Sequence, residues 1–252
     1  MKIAAIKIPL KTAIPLRTQF LCETNCQIRY NACHERGWSD LWLLSIDGME
    51  AGYGAVKGLD DLAARDAVFE FYILPPYRNH AHLLFAELLR SSGAAHVESQ
   101  TNDRLTTAML YEFSDRIRSE VVLFEDDVTT SHRVPDAVFR RRNPDDQVFG
   151  HQAEPVGDFI LELNGEVVAS AGFLLHYNPP FADLFMEVRE DCRRQGLGSF
   201  IIQEVKKACY ESGRVPAART GIHNRASSAA LTRAGMRVCG YMLVGEVKDK
   251  RP

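Results

Sequence analysis

The residues best placed for chemistry lie between Arg193 and Ser199, in the run Arg-Arg-Gln-Gly-Leu-Gly-Ser. An apolar run, Leu184 to Val188, precedes them, and a helical run, Phe200 to Tyr210, follows. The pattern is a strand, a glycine-containing turn and a helix start. Gly196 and Gly198 let the backbone approach a ligand with no Cβ in the way. The amides of Gln195 to Ser199 then sit at a helix N-terminus without intrahelical acceptors. Such an end suits a phosphate or pyrophosphate, each favourable charge–dipole contact being worth roughly 0.3–1 kcal/mol. Arg193 and Arg194 add positive charge beside it. The spacing is not the Gly-x-Gly-x-x-Gly of dinucleotide-binding turns, and no Gly-Lys-Ser/Thr follows as in a P-loop.

A second run, Asn224-Arg-Ala-Ser227-Ser228-Ala-Ala-Leu231-Thr-Arg233-Ala-Gly235-Met236, follows a short strand at Val215 to Thr220. Asn224 is expected to cap a helix through its side chain. Gly235 is expected to end it in the left-handed conformation, before a last strand, Met236 to Val247. Arg193-x-x-Gly196-x-Gly198 resembles the acetyl-CoA pyrophosphate loop of the GNAT N-acetyltransferase superfamily. The second run is similar to that family's closing motif: an asparagine, a small residue three on, then a basic residue before glycine and a hydrophobe. The resemblance covers about Gly157 to Val247. It implies an α/β fold of GNAT type on a mixed sheet (α+β), with acetyl-CoA as cosubstrate and no metal. The implied cofactor-binding residues are Val188, Arg193, Arg194, Gln195, Gly196, Leu197, Gly198, Ser199, Asn224, Ser227 and Ser228. The backbone around Val188 would hold the pantetheine arm and polarise the thioester carbonyl.

Amine acetylation makes two demands. A lysine-like amine, with a pKa near 10.4, is only about 0.1 % neutral or less at pH 7, so a base or water relay helps. The departing thiolate must also be stabilised. Along 182–188 the side chains alternate, with Asp183, Phe185 and Glu187 on one face and Leu184, Met186 and Val188 on the other. Glu187, among apolar neighbours just before the loop, is a candidate base; a salt bridge to a nearby arginine is the competing role. Asp183 follows Tyr177-Asn178-Pro179-Pro180-Phe181 and either binds a substrate ammonium or satisfies the turn. His176 is a further candidate. By resemblance a tyrosine seven residues after Asn224 would protonate the thiolate, but that position is Leu231. Tyr210, Tyr177 or Tyr241 is left as the substitute acid, with Tyr210 the chosen candidate, or solvent serves.

The elements that must position these groups occur twice. Leu41–Ile46, Asp47-Gly48 and Met49–Val56 read as a hairpin, as do Phe159–Leu163, Asn164-Gly165 and Glu166–His176; Asx-Gly is the strongest short-range hairpin signal. A strand at Val68–Leu74 corresponds to Leu184–Val188. A turn and helix follow in each half, over Tyr77–Ser92 and Arg193–Ser212, and each helix stops at a glycine, Gly93 or Gly213. Each is followed by a short strand and a helix capped by Asn102 or Asn224. Aligning Arg78 with Arg193 puts Ala81 at the Gly196 position and Leu83 at the Gly198 position, where Leu83 obstructs a pyrophosphate. The chain therefore reads as two tandem GNAT-like halves: a degenerate domain over 1–130, a polar linker over 131–153 with a short helix after Pro135, and the acetyl-CoA domain over 154–252. In the first half Glu70 lies mid-strand among aromatics, and either binds an amine-bearing acceptor or is a satisfied polar contact at a domain interface.

The chain has 252 residues, 46 % of them hydrophobic, and a formal net charge of −3, which gives no electrostatic footprint for nucleic acid. No apolar run approaches the ~20 residues of a membrane span, and the first residues lack the apolar core of a signal peptide. A cytoplasmic monomer or homodimer is expected, with six reduced cysteines. Cys22, Cys26 and Cys33 fit one face of a helix at about Leu16–Arg36 and no zinc module. The expected acceptor is a small amine, with no nucleic-acid or membrane partner. A non-catalytic acyl-CoA sensor, or transfer of a longer acyl chain, are the alternatives.

Overall fold

A computed structural model describes residues 1–24, 26–27, 31–150 and 154–248. The last three positions of the expected linker (151–153), the last four of the expected second domain (249–252), and 25 and 28–30 within the expected Leu16–Arg36 helix lie outside the described residues. The chain divides into two compact units at Glu120/Val121 and again at Gly240/Tyr241. Residues outside these two boundaries form the first unit and those between them the second, which Gln27 also joins.

The first unit runs through β1 (Ile3–Ile8), α1 (Leu10–Glu23), α2 (Asn31–Glu35), β2 (Ser39–Ile46), β3 (Met49–Lys57) and β4 (Ala67–Ile73). A 3-10 turn (Pro75–His80), α3 (Ala81–Ser92), β5 (His96–Gln100), α4 (Arg104–Phe113) and the start of β6 (Ser114–Asp126) follow. The strands pair in the order β1-β2-β3-β4-β5, antiparallel except β4 with β5. Asp47 and Gly48, at φ 49° and 82°, make the β2–β3 turn, the doubly positive geometry that matches strand twist. Leu84, Phe85, Leu88 and Leu89 of α3 bury one stripe against the sheet. The other face is covered by α1 and α2, where Leu16, Phe20 and Cys33 pack on Tyr53, Phe69 and Tyr72. This unit thus has a core on each side of its sheet.

The second unit holds the end of β6, then β7 (Ala137–Arg141), β8 (Phe159–Leu163), β9 (Glu166–Leu174) and β10 (Phe181–Val188). It continues through a 3-10 turn (Glu190–Cys192), α5 (Leu197–Glu211), β11 (Val215–Gly221), α6 (Arg225–Arg233) and the start of β12 (Met236–Val247). Its strand order is β7-β8-β9-β10-β11-β6. Asn164 and Gly165 repeat the hairpin turn at φ 52° and 82°. Leu197, Ile201, Ile202, Val205 and Cys209 form the buried stripe of α5, each aliphatic side chain contributing roughly 1.5–3 kcal/mol. On the opposite face, among the described residues, no helix intervenes between β7 and β8. Instead the irregular chain before β8 crosses β9 closely. Gly157 donates its amide to Ser170 Oγ (2.8 Å), and a Cβ on Gly157 would stand 1.9 Å from Ala171 O.

Four expectations change. The pairing draws domain boundaries away from 130 and 154, because Val121–Glu125 of β6 pairs with β11 and Met242–Glu246 of β12 pairs with β5. The segment taken as linker contains β7, paired with β8 from Ala137↔Leu163 to Arg141↔Phe159, and no helix follows Pro135. Arg140 is held there by Asp146 (2.8 Å) and Glu162 (2.9 Å). The single helix over Leu16–Arg36 is two short helices; Cys22 is exposed while Cys26 and Cys33 are buried. In the first unit Asp103, not Asn102, caps α4, accepting from Thr106 N. In the second unit Asn224 caps α6 in the same way, accepting from Ser227 N (3.0 Å).

Candidate active site

Strands β10 and β11 are hydrogen-bonded only from Phe181↔Val215 to Asp183↔Ala217. Beyond Asp183 they part: β10 stays on β9 to Val188↔Ala169, and β11 stays on β6 to Gly221↔Val121. The Arg189 amide donates to Val168 O of β9 (2.9 Å). Alternation along a strand then turns the backbone N–H and C=O of Leu184, Met186 and Val188 toward the side β11 has left. A stretch of sheet edge thus lies open inside the unit.

A cavity of about 930 Å³ fills the gap. One end is the loop leading into α5. Arg193 donates through Nε to Val188 O (3.1 Å), which ties the loop to the strand end. Arg194 at φ 65° and Gly196 at φ 84° are both left-handed, and a Cβ on Gly196 would meet nothing within 4 Å. The first intrahelical bond is Phe200 N to Gly196 O (3.1 Å), so the amides of Leu197, Gly198 and Ser199 have no acceptor within the helix. All three residues line the cavity. A left-handed glycine, free helix-end amides and two arginines make an anion cradle.

Gly198 also serves packing. Its missing Cβ points at Met186 Cε (3.2 Å) and Ala230 Cβ (3.5 Å), so it allows α5 to start close against β10 and α6. Gln195 and Ser228 are outside the cavity lining, whereas Val188, Arg193, Arg194, Leu197, Ser199, Asn224 and Ser227 belong to it. The Asn224 side chain is committed to the α6 cap, and it faces the cavity from that position.

Two carboxylates line the cavity along β10, Glu187 beside the cradle and Asp183 further from it. Glu187 lies 3.8 Å from the Arg193 guanidinium, the arginine contact that competes with a role as base. Asp183 is 7 % exposed, with Oδ2 3.1 Å from His176 Nε2 and 3.6 Å from Arg219 Nε. Sequence reasoning missed Arg219. Only the parallel register Asp183↔Ala217 puts it on the same face two residues further on, and nothing in its local sequence signals that.

Tyr210 is not an acid for this cavity. It stands thirteen residues along α5 from Leu197, roughly 20 Å at 1.5 Å per residue, and is 50 % exposed. Its hydroxyl donates to Asp126 Oδ2 (2.8 Å). Desolvation and that bond push its pKa up to about 12. Leu231, at the position where the resemblance implies a tyrosine, is 3 % exposed and forms part of the cavity wall. Tyr241 falls in the first unit and Tyr177 is buried outside the lining.

The first unit's mid-strand Glu70 is neither an acceptor site nor an interface contact. It is fully buried beneath α1 and α2, taking Arg17 Nε and Nη2 (3.1 Å each), Tyr53 Oη (2.8 Å) and His34 Nε2 (3.1 Å). Burial alone would raise its pKa; Arg17 and His34 outweigh that and hold the carboxyl well below the ordinary range.

Among the described residues no helix is long and apolar enough to cross a membrane, and no cluster of three His, Cys, Asp or Glu is arranged to hold a metal. Residues 122–236 match the family model described as the acetyltransferase (GNAT) family. No curated protein sequence matches the chain. Among solved structures it is similar to a GNAT-family acetyltransferase from Colwellia psychrerythraea (14 % identity, 98 % of this chain and 100 % of that one, TM-score 0.75). It is also similar to a GCN5-related N-acetyltransferase from Sphaerobacter thermophilus (15 %, 98 % and 96 %, TM-score 0.61). A third is a tandem GNAT protein from the clavulanic acid biosynthesis pathway (10 %, 99 % and 100 %, TM-score 0.61). The chain has the GNAT fold.

Proposed function

We propose that the second unit transfers an acetyl group from acetyl-CoA to the primary amine of a small molecule by direct attack within a ternary complex. The observation that carries this reading is the continuity of one cavity from the helix-end cradle, past the open edge of β10, to Asp183 and Glu187. Acetyl-CoA supplies the activated thioester. The amides of Leu197 to Ser199, with Arg193 and Arg194, suit its phosphates. The open backbone groups of Leu184 and Met186 suit an extended amide-bearing arm, and the Val188 N–H faces the side from which a carbonyl oxygen would come. Asp183 or Glu187 receives the proton the amine gives up as its N–C bond forms. Leu231 donates nothing, so the leaving thiolate takes its proton from solvent.

Leu231 also favours a second reading, an acyl-CoA-binding protein without turnover. Calorimetry with acetyl-CoA, followed by an assay for amine-dependent release of free CoA, decides between them. Micromolar binding with release over a panel of amines is the expected result. Binding with no release shifts the weight to the sensor, and no binding overturns both readings.

A further inference from the structure

The far end of the cavity differs in chemistry from the cradle end. Asp183, Phe185 and Glu187 point to the face opposite α5, where among the described residues of this unit no helix packs, as do Leu174, paired with Asp183, and Gly172, paired with Phe185. A Cβ on Gly172 would come within 2.9 Å of Phe185 Cζ. The Phe185 ring therefore lies flat on β9, in space that only glycine leaves. Leu174 beside it lines the cavity and is 40 % exposed. Apolar side chains lining a half-open chamber mark a place for apolar ligand surface.

The charged groups lining this part of the cavity are Asp183 and Glu187 of β10, Arg219 of β11, Glu154 before β8 and Arg193 of the loop before α5, with His176 bonded to Asp183 from outside the lining. The three carboxylates face two arginines, Arg219 at 3.6 Å from Asp183 and Arg193 at 3.8 Å from Glu187, which leaves the acidic groups in excess. A ligand carboxylate would meet more repulsion than attraction. A single ammonium would meet Asp183, whose orientation is fixed by His176 on one side and Arg219 on the other.

The geometry points to a substrate class: a primary amine carried on an apolar alkyl or aryl body, with its ammonium held by Asp183 and its body laid along Phe185 and Leu174. Asp183 touches the substrate. His176 is a positioning residue that acts through Asp183, and Gly172 sets the chamber's depth by seating the Phe185 ring. This rests on the transfer reading above, which supplies the reaction but not the acceptor.

The test compares 2-phenylethylamine, n-hexylamine, ethylamine, spermidine and phenylalanine as acceptors, on protein first shown by calorimetry to bind acetyl-CoA. The two apolar amines are expected to exceed ethylamine and spermidine in kcat/KM by about 10- to 100-fold, the range set by burying one apolar side chain's worth of surface. Phenylalanine should fall below 2-phenylethylamine. Phe185→Ala should cut the preference over ethylamine several-fold, and Gly172→Ala should raise KM for 2-phenylethylamine more than for ethylamine. Asp183→Asn should raise the amine KM at least tenfold with acetyl-CoA affinity unchanged. His176→Gln should alter the pH dependence of kcat/KM, which a purely structural histidine leaves as it is. Preference for spermidine or phenylalanine, or an Asp183→Asn effect on acetyl-CoA alone, overturns the substrate class and leaves the transfer reading standing. If acetyl-CoA does not bind, the transfer reading fails. Direct binding of 2-phenylethylamine, lost in Asp183→Asn, then decides the chamber by itself.

Discussion

The two units keep the same scaffold and differ in what they leave open. In both, a parallel strand pair is bonded only at its start, over Ala67–Val68 in β4 and Phe181–Asp183 in β10. In both, an arginine ties the following turn to the strand end, five residues back: Arg78 Nε to Ile73 O (3.2 Å) and Arg193 Nε to Val188 O (3.1 Å). The turns then diverge. His80 enters α3 at φ −106° with Ala81 and Leu83 beyond it, whereas Gly196 enters α5 at φ 84° with open space beside it. The opposite faces diverge as well. At the position of Phe185 the first unit has Glu70, and at that of Gly172 it has Ala55. The first unit closes that face with two helices and a buried ion cluster, where the second leaves a chamber. The same strand pairing thus supports two different surfaces, one filled and one open.

The change that strikes hardest at this comparison is Glu70→Ala. It leaves Arg17 buried without its carboxylate, and about 3–5 kcal/mol of stability should be lost in denaturant unfolding, while acetyl-CoA binding by the folded fraction stays intact. The sign of the pH effect follows from the depressed carboxyl. Its stabilisation is present above the unfolded value of about 4.3 and is lost as pH falls through the folded one. Glu70→Gln should therefore flatten the acid side of the stability curve. An unchanged acid side would remove the cluster from the first unit's stability.

Next in size is the turn. Gly196→Val forces a β-branched residue into the left-handed region and projects it into the cradle. Acetyl-CoA affinity should drop at least 100-fold (about 2.7 kcal/mol), with a thermal midpoint only a few degrees lower. Leu83→Gly in the first unit should create no binding. Were Gly196→Val to bind normally, the cradle would be a structural turn like its counterpart.

The smallest effect belongs to Tyr210→Phe. It should cost about 1 kcal/mol for the lost bond to Asp126 and leave kcat unchanged. With a folded pKa of about 12, above its usual 10, the tyrosine's contribution holds below pH 10 and fades from there to about 12. A large fall in kcat would return Tyr210 to the catalytic machinery and lengthen the site along α5.

Much of this was legible along the chain, because the signals are local. Asx-Gly turns, the left-handed glycines at 93, 196, 213 and 235, the Asn224 cap and the strand–loop–helix order each depend on a few neighbouring residues and their φ/ψ limits. Two local signals misled. Asn102 sits one residue from the true cap, and the cysteines of α1 and α2 mimic one helical face across a break. What lay beyond the sequence depended on register. Only the pairing of β10 with β11 and β9 opens a strand edge, brings Arg219 to Asp183 and seats Phe185 on Gly172. Likewise only tertiary packing shows that Glu70 is sealed by Arg17 and His34. Local conformational preference wrote the loop and the caps; long-range pairing, which no short window of sequence encodes, decided which side chains share a cavity.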